Sequence, residues 1–237
     1  MILNVQCTAL KKQLPIDYRP AIVSLFKWVL SKEYPEYYEQ TYLSNTLQKE
    51  FTFSVAMEKP IFSGDKVSFE NENIKLQMSF AQPKDALIFY NSFIRNLNYA
   101  HPLADNNTLK VVSATLQNGV QITSDRVKIK FLSPLVVRAH NKGEDDRYYV
   151  FDDKEFEQGL NMVLSHQLKR PVQLSLTPIN PKKTVVKSFK VNVRGTIGTF
   201  LLQGDRATLN YLLQAGMGSK RSQGFGQFTV VGGDNLG

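Results

Sequence analysis

Hydrophobic positions at the start of the chain alternate with polar ones. Ile2 and Leu3, then Val5 and Cys7, read as a strand over residues 1–10. The period then lengthens. Ile22, Leu25, Phe26, Val29 and Leu30 recur at i, i+3, i+4, i+7 and i+8, which predicts a helix opened by Asp17 and Pro20 and ended near Pro35. Its other face carries Arg19, Ser24, Lys27 and Ser31. An irregular stretch with Tyr34, Tyr37, Tyr38 and Tyr42 leads to a strand over 51–57, and Ile74, Leu76, Met78 and Phe80 alternate as another. Pro83 starts a helix with Leu87, Tyr90, Ile94 and Leu97 on one face, and a strand around 109–116 follows. The order is β-α-β-β-α-β, that of a ferredoxin-like unit.

The second half repeats the order. Val127, Ile129 and Phe131 alternate as a strand, followed by Ser133-Pro134-Leu135-Val136-Val137-Arg138 and a polar loop from 141 to 148 that mixes Lys142 and Arg147 with Glu144, Asp145 and Asp146. A helix capped near Asp152 or Asp153 places Phe156, Leu160, Val163 and Leu164 on one face. Strands are predicted around 172–176, 185–193 and 199–202. Leu209, Leu212 and Leu213 mark a last helix behind an Asp205 cap, and 225–231 a last strand. The expectation is an α+β protein of two tandem ferredoxin-like units, residues 1–120 and 121–237. The join falls near 118–125, where Asn118-Gly119 suits a turn. The repetition is one of element order only.

Charge adds a direction to this plan. The formal net charge is +8. Between Lys182 and Arg221 eight Lys or Arg stand against a single acid, Asp205, a surplus of seven out of that eight. Such a basic stripe is the footprint of a polyanion site. It ends at Ala215-Gly-Met-Gly-Ser-Lys-Arg-Ser-Gln-Gly-Phe-Gly-Gln-Phe228, between the last helix and the last strand. Here Gly216, Gly218, Gly224 and Gly226 bracket Ser219, Lys220, Arg221 and Ser222. Gly216 suits a left-handed helix C-cap, and unpaired N–H groups beside Lys220 and Arg221 suit a phosphate. The loop lacks the spacing of a Walker loop and has the opposite element order to a dinucleotide fingerprint.

The single Cys7 excludes a disulfide framework, and three scattered histidines lack zinc-ligand spacing. No signal peptide is visible, and no window approaches the roughly 18 apolar residues of a membrane span. A cytoplasmic protein without metal, cofactor or membrane contact is expected.

Gly-Met-Gly, five residues, then Gly-Phe-Gly resembles the C-terminal glycine-rich signature of the CRISPR-associated repeat-RNA processing endoribonucleases of the RAMP superfamily. Ser133 to Arg138 and Phe51-Thr52-Phe53-Ser54 support the likeness, which runs in order through nearly the whole chain. The resemblance implies a protein that binds CRISPR repeat RNA and cuts it beside its stem to make crRNA. The RNA's own 2′-hydroxyl attacks, without metal, leaving 2′,3′-cyclic phosphate and 5′-hydroxyl ends. It implies an RNA-binding set of Gly216, Gly218, Ser219, Lys220, Arg221, Ser222, Gly224 and Gly226, with Arg138, Lys187, Lys190 and Arg194 extending the surface. Other CRISPR effector subunits are candidate partners, and the chain is expected as a monomer or homodimer.

Many members of that family place a histidine between the first helix and the second strand. Residues 31–50 contain none here. The catalytic candidates are therefore Tyr38 and Lys49, with Tyr37 and Tyr42 as alternates and Lys27 or Lys32 to stabilise phosphate charge. His101 reads as a solvated loop residue and His166 as a surface residue. His140 is placed to face an RNA groove, but the tyrosine–lysine set is preferred over it. Two other readings stay open: a non-cleaving homologue that holds repeat RNA within a CRISPR effector complex, and a duplicated ferredoxin-like binder of some other anion.

Overall fold

The computed structural model describes residues 1–44, 49–140 and 146–232. The polar loop expected over 141–148 lies mostly outside the described residues. The first half runs β1 (Ile2–Ala9), β2 (Gln13–Pro15), α1 (Arg19–Glu33), α2 (Pro35–Tyr38), β3 (Phe51–Met57), β4 (Ile61–Ser63), β5 (Lys66–Ser68), β6 (Asn73–Phe80), α3 (Pro83–Arg95), β7 (Ala100–Leu103) and β8 (Asn107–Gln117). The second half runs β9 (Arg126–Phe131), β10 (Val137–Ala139), β11 (Arg147–Tyr149), α4 (Phe156–Leu168), β12 (Ser175–Ser188), β13 (Val191–Gln203), α5 (Arg206–Ala215) and β14 (Phe228–Val230). Among the described residues no helix is long and apolar enough to cross a membrane.

This is an α+β architecture in which two antiparallel sheets repeat one strand order. The first is β3-β6-β1-β8-β7 and the second β12-β13-β9-β14. In each, the first strand of the half is central, flanked by the strand that precedes the second long helix and by the last strand of the half. β1 lies between β6 and β8, as β9 lies between β13 and β14. A small sheet, β2-β5-β4, is added to the first half. Its strands are three residues each, too short to carry a readable alternation.

Helix α1 buries Ile22, Leu25, Phe26, Val29 and Leu30, as its period requires, and leaves Lys27 exposed. Phe26 meets Phe53, Phe89 and Phe93 edge-on, with ring centroids 5.0, 5.9 and 6.0 Å apart. These contacts also decide the face of α3. That helix is apolar on more than one side, and the rings of Phe89 and Phe93 take the core with Ala86 and Ile88. The stripe expected from the sequence is turned outward, with Leu87, Ile94 and Leu97 exposed. Aromatic rings bury more apolar area than the aliphatic alternative and pair favourably, so they win the interior.

Four other elements differ from expectation. Asp17 does not cap α1: Tyr18 occupies that position without a side-chain bond, and Asp17 instead accepts from the N–H groups of Phe189 and Lys190 at 3.0 and 2.7 Å. The segment read as a strand over 185–193 is the tip of a long hairpin. Phe189 and Lys190 both have positive φ, the geometry of a tight two-residue turn without the Asn-Gly that normally announces it. The tyrosine stretch is ordered as α2 and a wider helical turn over Glu39–Leu43. His101 lies buried in β7 rather than in a solvated loop, with Nε2 3.2 Å from Ser24 Oγ, and burial lowers its pKa. Cys7 is buried in β1, and desolvation raises its thiol to about 12.

The glycine loop follows α5, whose Asp205 cap accepts from Thr208 N at 2.9 Å. Its four glycines are buried. A Cβ on Gly224 would lie 2.7 Å from the Phe53 ring, one on Gly216 2.6 Å from Thr52, and one on Gly226 1.9 Å from the Met217 carbonyl oxygen. Gly216 has φ +79 but ψ 165, so it ends the helix without the left-handed cap that the sequence suggests. Thr52 Oγ1 donates to the Phe225 carbonyl at 2.6 Å, and the buried Arg19 guanidinium stacks 4.5 Å above the Phe225 ring. Phe225 to Gln227 therefore serve as a docking segment, and the last strand begins only at Phe228.

Two expectations follow. Gly226→Ala meets both a positive φ and a backbone collision, and should lower stability by about 3 kcal/mol. Gly64→Ala, with positive φ but nothing within 4 Å, should cost about 1 kcal/mol; equal losses in urea titrations would mean that crowding at Gly226 is relieved. Thr208 hydrogen bonds, first of all, hold the Asp205 carboxyl below its usual range. That stabilisation is present above about pH 4 and fades as pH falls through the depressed folded-state value. Asp205→Ala should therefore cost about 1 kcal/mol at neutral pH, and the difference from wild type should shrink on acidification.

Candidate nucleic-acid interface

Where the loop docks against the first half, an open cleft of about 670 Å³ forms. Its walls are Lys49, just ahead of β3; Arg138, Ala139 and His140 at the end of β10; Met162, Val163, His166 and Gln167 on α4; and the loop tip from Gly218 to Ser222. Among the described residues no carboxylate lines it. A second cleft of about 650 Å³, on the open face of the first sheet, is lined by Lys75 and Glu58 among uncharged side chains and has no such excess of cations.

The charges of the first cleft repel one another. Burial, then the neighbouring Arg138, lowers the pKa of Lys220, with Asp146 opposing. Burial, then Lys27, lowers that of Lys49. Cations held this close without matching acids favour an anion between them. Asp146 accepts from Arg138 Nη1 at 3.0 Å and Tyr148 Oη at 3.2 Å, and lies 2.8 Å from His140 Nδ1.

The sequence candidates divide on inspection. Ser219, Lys220 and Ser222 line the cleft, as does Arg138. Gly218 lines the cleft too, whereas the other three glycines spend their N–H groups within the protein. The N–H groups of Gly216, Met217, Ser219, Gln223, Gly224 and Gly226 donate to Leu212, Gly226, Val136, Lys220, Arg221 and Pro134 carbonyls in turn. Arg221 folds back on its own loop, with Nη1 3.1 Å from the Gly218 carbonyl and its charge near the Tyr211–Glu50 hydrogen bond of 2.8 Å. Lys187 and Lys190 are exposed on the β12–β13 hairpin, away from the cleft walls. Arg194 lies there too, bonded to the Tyr148 carbonyl at 3.4 Å and 4.0 Å from Asp153. Lys183 pairs with Asp152 at 2.6 Å. The basic stripe thus divides between the cleft tip and the hairpin.

The catalytic candidates divide as well. The Tyr42 ring lies 5.4 Å from Lys27 Nζ and 4.9 Å from Lys49 Nζ, and stacks on Tyr38 with centroids 5.8 Å apart. Its hydroxyl is buried without a hydrogen-bond partner among the described residues, and burial pushes its pKa well above the usual tyrosine value. Tyr37 packs edge-on against Phe89, and burial, then the Asp85 carboxylate, drives its pKa far up. Both hydroxyls stay protonated at neutral pH, so neither supplies a base. His140 and His166, which the sequence reading sets aside, both stand on the cleft wall. The helical period holds a signal for the second: Leu160 and Leu164 point to the core, so Met162 and His166, one turn apart, share another face.

Residues 116–230 match the family model for CRISPR associated protein Cas6, C-terminal. No curated protein matches the sequence significantly. Among solved structures the chain is similar to the product of a Cas6-related gene from Pyrococcus furiosus, at 17% identity over 99% of both chains with a TM-score of 0.83. It is also similar to an RAMP protein binding different RNA substrates, at 17% identity over 98% of this chain and 100% of that one, TM-score 0.81. A Cas6 product complex matches at 16% identity over 98% and 100%, TM-score 0.69. At such identities the likeness is one of fold, and it runs from end to end. By that family model residues 116–230 belong to the Cas6 family of CRISPR-associated proteins, and the chain from end to end has the fold of the Cas6 structures.

Proposed function

We propose that this chain binds CRISPR repeat RNA in the cleft and cleaves it by metal-independent attack of the 2′-hydroxyl, leaving 2′,3′-cyclic phosphate and 5′-hydroxyl ends. The carrying observation is the convergence of Lys49 from the first half with Arg138 and Lys220 from the second on one cleft that, among the described residues, no acid lines. The two halves are read as tandem ferredoxin-like units, 1–120 and 121–237. Gly119 sits beside Ile2, whereas Ile122 is buried in the second core and bonded through its backbone to Asn210. Lys27 and Lys49, on either side of Tyr42, are assigned to phosphate charge, and Tyr38 to orientation of the substrate. Lys187 and Lys190 extend the RNA surface along the hairpin.

The non-cleaving reading keeps one observation in its favour, namely that the buried Tyr37 and Tyr42 hydroxyls cannot act as bases. Incubation of the purified protein with its cognate repeat RNA in the presence of a chelator separates the two. Cleavage to cyclic phosphate ends, abolished by one 2′-deoxy nucleotide at the cut site while binding persists, is the expected result. Tight binding without cutting selects the other reading, and cutting of the deoxy substrate removes the 2′-hydroxyl mechanism.

Binding carries a separate expectation. Lys220→Ala should weaken RNA affinity and reduce the slope of log K against log salt by about 1, the loss of one phosphate contact. Its melting temperature should stay near that of wild type. Arg221→Ala, by contrast, removes a loop tie and should lower the melting temperature as well. A Lys220→Ala protein with unchanged affinity and slope would place the RNA elsewhere.

A further inference from the structure

The proposed reaction needs a group that takes the 2′-hydroxyl proton, and the tyrosines are unsuited to it. His140 ends β10 on the cleft wall, with its side chain 63% exposed. Its Nδ1 is 2.8 Å from Asp146 Oδ1. The other oxygen of Asp146 is fixed by Arg138 at 3.0 Å and Tyr148 at 3.2 Å, so the carboxylate cannot swing away without breaking two further bonds. A carboxylate held on one imidazole nitrogen keeps the proton there and leaves the other nitrogen as an acceptor. Base, orienting carboxylate and cations then meet at one cleft, the arrangement that proton abstraction beside a phosphate requires.

We propose that His140, oriented by Asp146, is the general base of this site and Lys49 its general acid. This rests on the cleaving reading above. His140 Nε2 takes the proton from O2′, and O2′ forms a bond to phosphorus. The P–O5′ bond breaks, and the Lys49 ammonium gives a proton to O5′. Solvent then carries the proton from the imidazolium back to the Lys49 amine, and nothing is oxidised or reduced. Lys220 and Arg138, crowded at the same wall, offset the charge of the phosphorane. Burial and Lys27 make the Lys49 ammonium a readier donor than a free lysine. Asp146 acts through His140 and is a positioning residue.

The test uses the full chain and repeat RNA under single-turnover conditions. General acid–base groups contribute typically about 10²- to 10⁴-fold, so His140→Ala should slow cutting by about 10²-fold or more while RNA affinity stays within about threefold. Added imidazole should restore part of the rate, because the missing ring leaves an open, solvent-facing space. Asp146→Asn should lower kcat with KM held. Lys49→Ala should be rescued on RNA that carries sulfur in place of the bridging O5′, since a thiolate leaves without a proton, whereas His140→Ala should not. A His140→Ala protein that cuts at the wild-type rate, loses binding in parallel with cutting, or ignores imidazole overturns the assignment while the cleaving reading stands. Wild-type protein that binds the RNA and never cuts it removes both.

Discussion

The contact on which the rest of this molecule depends is the seat of Phe225 on the first half of the chain. Its carbonyl accepts from the buried Thr52 hydroxyl, and its ring lies under the Arg19 guanidinium, whose Nε is 3.4 Å from the Gly224 carbonyl. Arg19 is 5% exposed, and no carboxylate is paired with it among the described residues. A charge in that position is sustained by two rings, Phe225 and Tyr18, and by backbone oxygen. Leaving the Phe225 carbonyl without its donor would cost about 1–3 kcal/mol. Gly224 is there because the Phe53 ring already fills the space of a Cβ. The cleft is made by this seat, since Lys49 comes from one side of it and Lys220 from the other.

The glycine loop shows both the reach and the limit of the sequence. Four glycines around a cationic tip mark a place where backbone must come close to something, and that inference holds. What they approach is protein: Thr52, Phe53, Val136 and Met217. A glycine pattern reports the absence of room for a Cβ, and cannot say whether a phosphate or a phenyl ring takes the room. The same distinction separates Lys220 from Arg221. The two are adjacent in sequence and both line the cleft, yet Arg221 also ties the loop to Gly218.

Elsewhere, legibility followed the strength of the period. Helix α1 has one apolar stripe, and its buried apolar positions are legible, as are those of β1 and β6, although Arg19, read on the polar face, is buried. Helix α3 has competing stripes, and only the rings it meets across the core could choose between them. The turn at Phe189 and Lys190 escaped because its residues do not advertise positive φ, and its stability is supplied by Asp17 from far away in sequence. His101 looked like a loop residue because Pro102 follows it, although β7 is an edge strand, where proline is tolerated. The pairing of His140 with Asp146 joins two residues six apart in a stretch without helical or strand period. No periodicity encodes it.

A cleft whose parts come from both halves places a demand on rigidity. Charge stabilisation and proton transfer weaken steeply with misplacement, so groups that must cooperate across a seam need the seam held still. The loop meets that demand by spending the N–H groups of Gly216, Met217, Ser219 and Gly226 on internal carbonyls, from Leu212 to Pro134. What would be lost in direct phosphate binding by a glycine cradle is gained in fixed positions for Lys220 and Arg138 opposite Lys49. On this view the glycine signature belongs to the frame of the site. The chemistry proposed for it lies in side chains that the frame brings together, where an unusual base can replace an absent one without altering the frame.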